Sequence, residues 1–197
     1  MIETVIFDLS EVLIAGLVGI EKPLAVRLQI REEAALPPFR GDLLHDLCCG
    51  TLSEDSYLAR IIEQQQWSIT PDEVKDIIRR NFHRRVSGMD KILERLLGNC
   101  DLVLLSDHAA EWVTYIKSIH PFLRIFKAQF FSFDLRQTKR ESSTFRIVID
   151  AIHREPKHCI FVDDSTENVA TATSVGISSI RFTSAQDLSR KLVELGV

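Results

Sequence analysis

At 197 residues the chain has room for one domain with a full core, or one main domain with a small insert. Its 45% hydrophobic and 26% charged residues suit a globular protein, and a net charge of -4 leaves no basic footprint for nucleic acid. No uninterrupted apolar run approaches the roughly 20 residues that cross a bilayer, so neither nucleic acid nor membrane is an expected partner. The chain enters a strand pattern at once, which predicts no secretory leader. Cys48, Cys49, Cys100 and Cys159 form no C-x-x-C pair and read as reduced structural thiols of a cytoplasmic protein.

The first strand is predicted at 4–7 (TVIF), inside "ETVIFDLSEVL", and it runs straight into Asp8. Residues 15–87 then break the strand rhythm. Pro37 and Pro38 interrupt one helix, and Ser53 precedes Glu54 and Asp55 with Leu58, Ile61 and Ile62 on one face. Thr70-Pro71-Asp72-Glu73 spells an N-cap, a proline at the first helical position and a capping-box glutamate, followed by Val74, Ile77 and Ile78. The simplest account is a small helical module, 15–87, inserted after the first strand of a core formed by 1–14 and 88–197.

From Gly88 onward, strand-length apolar runs alternate with helical stripes. The runs are 102–105 (LVLL), 128–131 (AQFF), 159–162 (CIFV) and 178–182 (SSIRF). The stripes are Ile92, Leu93, Leu96 and Leu97; then Trp112, Ile116 and Ile119; then Phe145, Val148, Ile149 and Ile152. Short β-branched or aromatic runs without strict alternation fit strands covered on both faces, so the fold class is α/β, a doubly wound parallel sheet. Such sheets bind ligands beyond the carboxyl ends of their strands. Asp8, Ser106 of "LLSDH", and Asp163 and Asp164 of "IFVDDSTEN" stand at those ends, with Lys139 after the third strand. Singly, each has a plain structural reading: Asp8 as a turn cap, Ser106 as an N-cap, Lys139 as a solvated charge. Two adjacent acids after a buried strand, however, repel each other unless a cation lies between them, and Mg²⁺ is the usual hard-oxygen solution.

In order and spacing, "VIFDLSEVL", "LLSDH", Lys139 with Phe145 six residues on, and "IFVDDSTENVATATSVGISSIRF" resemble the motifs of the haloacid dehalogenase (HAD) superfamily of hydrolases. The resemblance covers nearly the whole chain. The module at 15–87 looks like the helical cap that many members carry, and the branch most similar is the capped phosphatases related to the N-terminal domain of soluble epoxide hydrolases. The resemblance implies a small phosphorylated substrate and a monomer or homodimer. It implies Asp8 as the nucleophile that takes the phosphoryl group. It puts Ser106, Asp107 and Lys139 at the phosphate, and Asp8, the Ser10 carbonyl and Asp164 at Mg²⁺, with Asp163 and Asn168 in support.

At Ser10 the sequence departs from that pattern. Phosphatases of the superfamily carry a second aspartate there, which protonates the leaving group and then activates water. A serine hydroxyl is too weak an acid and base for this near pH 7, and a positioned acid/base is worth roughly 10²–10⁴-fold. Four readings follow. The first is an active phosphohydrolase with another acid/base (Glu11, His108 or a cap residue), or one whose leaving group needs no proton. The others are a pseudo-phosphatase that only binds, a dehalogenase-like enzyme, and an engineered serine. A serine hydrolase built on Ser106, Asp107 and His108 is set aside, because consecutive residues cannot converge on one site and no G-x-S-x-G elbow is present. The six histidines show no metal-ligand spacing and read mostly as surface residues. Gly16 and Gly19 are candidate hinges, and Arg31-Glu32-Glu33 and Arg79-Arg80…Arg84-Arg85 are either solvated faces or a recognition surface. Phe39, Trp67 and Phe82 are either core or pocket lining.

Overall fold

In a computed structural model, which describes residues 1–197, the five apolar runs become β1 (Thr4–Phe7), β2 (Asp101–Ser106), β3 (Ala128–Phe131), β4 (Cys159–Asp163) and β5 (Ser178–Arg181). They form one sheet in the order β3-β2-β1-β4-β5, and every pairing is parallel. All four residues of β1 are buried, as expected of a central strand covered on both faces. The two-residue period still sorts its side chains: Val5 and Phe7 enter a layer of 39 buried apolar residues, and Ile6 enters a layer of 10 on the opposite face. The chain builds outward from β1 to β2 and β3, then crosses to β4 on the other side. The crevice at this reversal is where the carboxyl ends of β1, β2 and β4 meet.

Between β1 and β2 the chain carries helices only: α1 (Glu21–Leu28), α2 (Glu32–Ala35), α3 (Asp42–Cys48), α4 (Glu54–Gln65), α5 (Pro71–Phe82) and α6 (Met89–Leu96). The local signals explain their starts. Ser53 Oγ accepts the Ser56 N–H, and at Thr70 the full capping box forms, with Thr70 N donating to Glu73 Oε2 at 2.9 Å and Glu73 N to Thr70 Oγ1 at 3.3 Å. Pro37–Phe39 tightens into a single 3₁₀ turn. The outgoing and returning strands of this segment are paired: Ala15 N donates to Arg84 O at 2.8 Å and Val86 N to Leu13 O at 3.0 Å. Its aromatics join the larger core layer, with Tyr57 and Phe82 packed edge-on against Trp112. Phe39 is fully buried against Tyr57 and Trp67, which makes it core rather than pocket lining.

The remaining helices are α7 (Ala110–Ile119), α8 (Ser132–Leu135), α9 (Ser142–Ala151), α10 (Thr166–Ser174) and α11 (Ala185–Glu194). Helix α7 takes Ala109, not Ser106, as its N-cap, which frees the Ser106 hydroxyl for other use. Two histidines depart from the surface expectation. His120 is buried with Nε2 at 2.7 Å from Phe82 O, and His108 is buried at the crevice. Three of the four arginines of the basic run have partners within the chain, and Arg80 is exposed. Arg79 pairs with Glu54 and Arg85 with Asp90, and Arg84 donates to Asn81 Oδ1. No helix is long and apolar enough to cross a membrane, and the four cysteines are unbridged.

Candidate active site

The four strand-end groups reach the crevice because a strand that ends buried delivers its terminal side chains there, and Lys139 reaches it from the loop after α8. Asp8 follows β1 and is 6% exposed. Three donors converge on its Oδ1: Leu9 N at 2.7 Å, Ser106 Oγ at 2.9 Å and Lys139 Nζ at 2.8 Å. Its Oδ2 accepts no hydrogen bond from the protein. Lys139, 2% exposed, also reaches Asp163 Oδ2 at 2.6 Å. The loop that carries it is fixed by Asp107, whose two carboxylate oxygens accept the Lys139 N–H at 3.1 and 3.2 Å. Asp163 is fully engaged, since Ser165 N, both bonds of Asn168 Nδ2 and Lys139 saturate its oxygens. The Asp164 carboxylate beside it takes no side-chain donor, Arg181 Nε reaching only the Asp164 backbone carbonyl at 3.3 Å.

Charge is therefore unbalanced. Asp8, Asp163 and Asp164 bring carboxylate oxygens within 4.8 Å of one another, and one lysine lies among them. Burial raises the Asp8 carboxyl to about 8 against the pull of Lys139, with Asp163 and Asp164 adding repulsion. Burial and the neighbouring Asp163 also raise Asp164. Burial alone would drive the proton from Lys139, but Asp163, Asp8 and Asp107 outweigh it and hold the ammonium above its ordinary range. Asp8 Oδ2 and the Ser10 carbonyl have no protein donor at this point, and the Asp164 carboxylate has no side-chain donor. A hard divalent cation fits that donor set and relieves the excess negative charge. Nearby, the backbone N–H groups of Ser10 and Asp107 form no hydrogen bond within the protein, so two donors stand open for an anion.

Some expected roles have different partners in the folded chain. The Ser106 hydroxyl donates to Asp8 Oδ1 at 2.9 Å and so orients the carboxylate. The Asp107 carboxylate anchors the Lys139 loop, leaving only its backbone N–H facing an anion. Glu11 is turned away by a left-handed backbone (φ 60°), and its Oε1 accepts Gly16 N at 2.8 Å and Val18 N at 3.1 Å. Gly16 is required by close approach: a Cβ there would lie 2.7 Å from Ser10 Oγ. Ser10 Oγ itself sits 2.8 Å from His108 Nε2.

Sequence reasoning missed the groups that support this arrangement. Ser132 Oγ accepts His108 N at 3.0 Å and donates to Cys48 O at 2.6 Å, tying the helical segment to the crevice. Asn81 Nδ2 does the same through Gly16 O and Val18 O, both at 2.8 Å. Next to Ser10 a cavity of about 230 Å³ opens, lined mainly by Leu17, Leu36, Leu44, Phe82 and Trp112. Arg40 stands where it meets a more polar opening bordered by Asp164, Thr138 and Arg140.

The fold has counterparts among solved structures. An HAD family enzyme from Bacteroides thetaiotaomicron, in complex with magnesium and inorganic phosphate, superposes with a TM-score of 0.72 at 21% identity, over 93% of this chain and 96% of that one. A predicted HAD-like family hydrolase from Porphyromonas gingivalis gives 0.75 at 22% identity, over 99% and 98%. An L-2-haloacid dehalogenase from Xanthobacter autotrophicus gives 0.72 at 17% identity, over 98% and 83%. The chain has the HAD fold. No protein-family model matches the sequence. Within the HAD fold, the crevice at the sheet reversal is the place where Asp8, Lys139 and the acid pair converge.

Proposed function

We propose that the chain is a Mg²⁺-dependent phosphohydrolase with Asp8 as its nucleophile, and with residues 15–87 acting as a cap over the crevice. One observation carries this reading. Asp8 has one oxygen clamped by three donors and the other left free, between a buried lysine and an acid whose carboxylate has no side-chain partner. A carboxylate held in this way is aimed, and the groups around it offer positive charge where a phosphoryl group would need it.

In this mechanism Asp8 Oδ2 attacks phosphorus in line, the bond to the leaving oxygen breaks, and the phosphoryl group rests on Asp8. Water then attacks phosphorus, inorganic phosphate departs and the carboxylate is restored. Lys139 has a third N–H beyond its two ion pairs, and with the N–H groups of Ser10 and Asp107 it binds the phosphoryl oxygens. Ser106 keeps Asp8 oriented. Asp8, the Ser10 carbonyl and Asp164 would hold Mg²⁺, which supplies charge compensation for the transferring group. A dehalogenase shares the fold, but displacement at carbon needs no cation and would leave Asp164 uncompensated beside Asp163.

The test is turnover of para-nitrophenyl phosphate with Mg²⁺. The expected result is release that chelation removes and Asp8→Asn reduces to background, with a phosphoryl group on Asp8 in acid-quenched protein. Turnover that survives Asp8→Asn would overturn the mechanism. An inert protein whose melting temperature is still raised by Mg²⁺ and phosphate together would support a binding module instead.

A further inference from the structure

We infer that this site acts on phosphate esters of acidic alcohols, namely phenols and enols, because the acids and the histidine beside Ser10 are each already held by other groups of the protein. The inference rests on the phosphohydrolase reading above and adds the substrate class.

The titratable groups around Ser10 are His108, Glu11, Asp107 and Lys139. His108 comes nearest, but its Nε2 is committed to Ser10 Oγ at 2.8 Å and its Nδ1 is sealed from solvent without a partner. Its ring is wedged edge-on between Phe82 and Trp112, with centroids 6.0 and 5.8 Å away. Glu11 is held by the N–H groups of Gly16 and Val18. Asp107 is held by the backbone of Lys139, and the Lys139 ammonium lies on the nucleophile's side, between Asp8 and Asp163. What remains at the leaving oxygen is the Ser10 hydroxyl, which can donate a hydrogen bond but not its proton.

A leaving oxygen in this setting departs with the electron pair of the broken P–O bond, as an anion. A phenolate or enolate tolerates that charge and takes its proton from solvent after release, whereas an alkoxide does not. The second step follows the same logic. Water attacks the phosphoryl group on Asp8 without a base beside it, its proton passes to solvent, and this step is slow whatever the alcohol was. The space next to Ser10 agrees with the chemistry. A cavity of about 230 Å³, lined by apolar side chains including Phe82 and Trp112 together with Glu11, Arg40, Asp107 and His108, has room for one substituted ring, since a cavity of roughly 150 Å³ already accepts benzene.

The experiment compares para-nitrophenyl, phenyl and benzyl phosphate with the full chain and Mg²⁺, for the parent and Ser10→Asp. Benzyl alcohol has nearly the size of phenol without its acidity. For the parent, kcat/KM is expected to fall on the order of 10²–10⁴-fold from para-nitrophenyl to benzyl phosphate, and Ser10→Asp to recover most of that loss on benzyl phosphate alone. The parent should also release a burst of para-nitrophenol equal to the protein, and show a solvent deuterium isotope effect of about one on kcat/KM, a readout that needs no variant. Parent turnover of benzyl phosphate within about tenfold of para-nitrophenyl phosphate, lost in Asp8→Asn, sinks the inference and leaves the hydrolase reading standing. Inertness of both proteins toward all three esters, or hydrolysis indifferent to Asp8→Asn, overturns the hydrolase reading and the inference with it.

Discussion

Lys139 is the residue on which the crevice depends for charge. It is almost fully buried between Asp8 and Asp163, and removing it leaves two carboxylates facing each other with no cation. Lys139→Met is expected to cost about 3–5 kcal/mol in urea unfolding, because breaking a buried pair leaves charge uncompensated. His108 governs a pH dependence. Burial, aided by the Lys139 charge, lowers it from 6.5 to about 3, so the folded chain refuses a proton that the unfolded chain accepts between those limits. Stability contributed by His108 is therefore complete above pH 6.5 and declines as pH falls toward 3. His108→Gln keeps an amide that can hydrogen-bond Ser10 and removes that titration, so urea midpoints measured against pH should decline less steeply on the acid side than in the parent.

Among the elements, α4 is held less by its own sequence than by what its first residue reaches. Glu54 is 3% exposed, and it accepts Trp112 Nε1 at 2.8 Å from α7 and Arg79 Nη2 at 3.0 Å from α5. In the sequence it is only an acid in a first helical turn, a position that suits any carboxylate. Glu54→Ala is expected to cost about 3 kcal/mol, by stranding the indole N–H and the guanidinium together. Glu54→Gln, which can still accept from Trp112, should cost clearly less in the same denaturation experiment. The capping box at Thr70 was legible beforehand because its whole signal lies within four residues.

For the molecule as a whole, the helical segment and the sheet share one apolar layer. The 39-residue cluster runs from Val5 and Phe7 through Trp112 to Phe39, Tyr57 and Phe82, and the two connections at 13–15 and 84–86 are hydrogen-bonded to each other. Unfolding should therefore be a single cooperative event, with tryptophan fluorescence from Trp67 and Trp112 and far-UV circular dichroism giving the same midpoint. An earlier transition reported by Trp67 would mean that the segment melts on its own.

The sequence by itself determined the five strands, the helical interruption after β1, and the strand-end groups Asp8, Ser106, Asp163 and Asp164, together with the departure at Ser10. Those signals are local: an apolar run, a cap, or a polar residue where a run stops. Tertiary structure alone decided that Ser106 donates to Asp8, that Lys139 bridges Asp8 and Asp163, and that Arg79 and Arg85 are paired internally. It also decided that Ser10 faces His108 across 98 residues of chain. Periodicity and capping act over three or four residues, whereas a hydrogen bond between the ends of two parallel strands depends on sheet order and leaves no trace in the spacing of its partners.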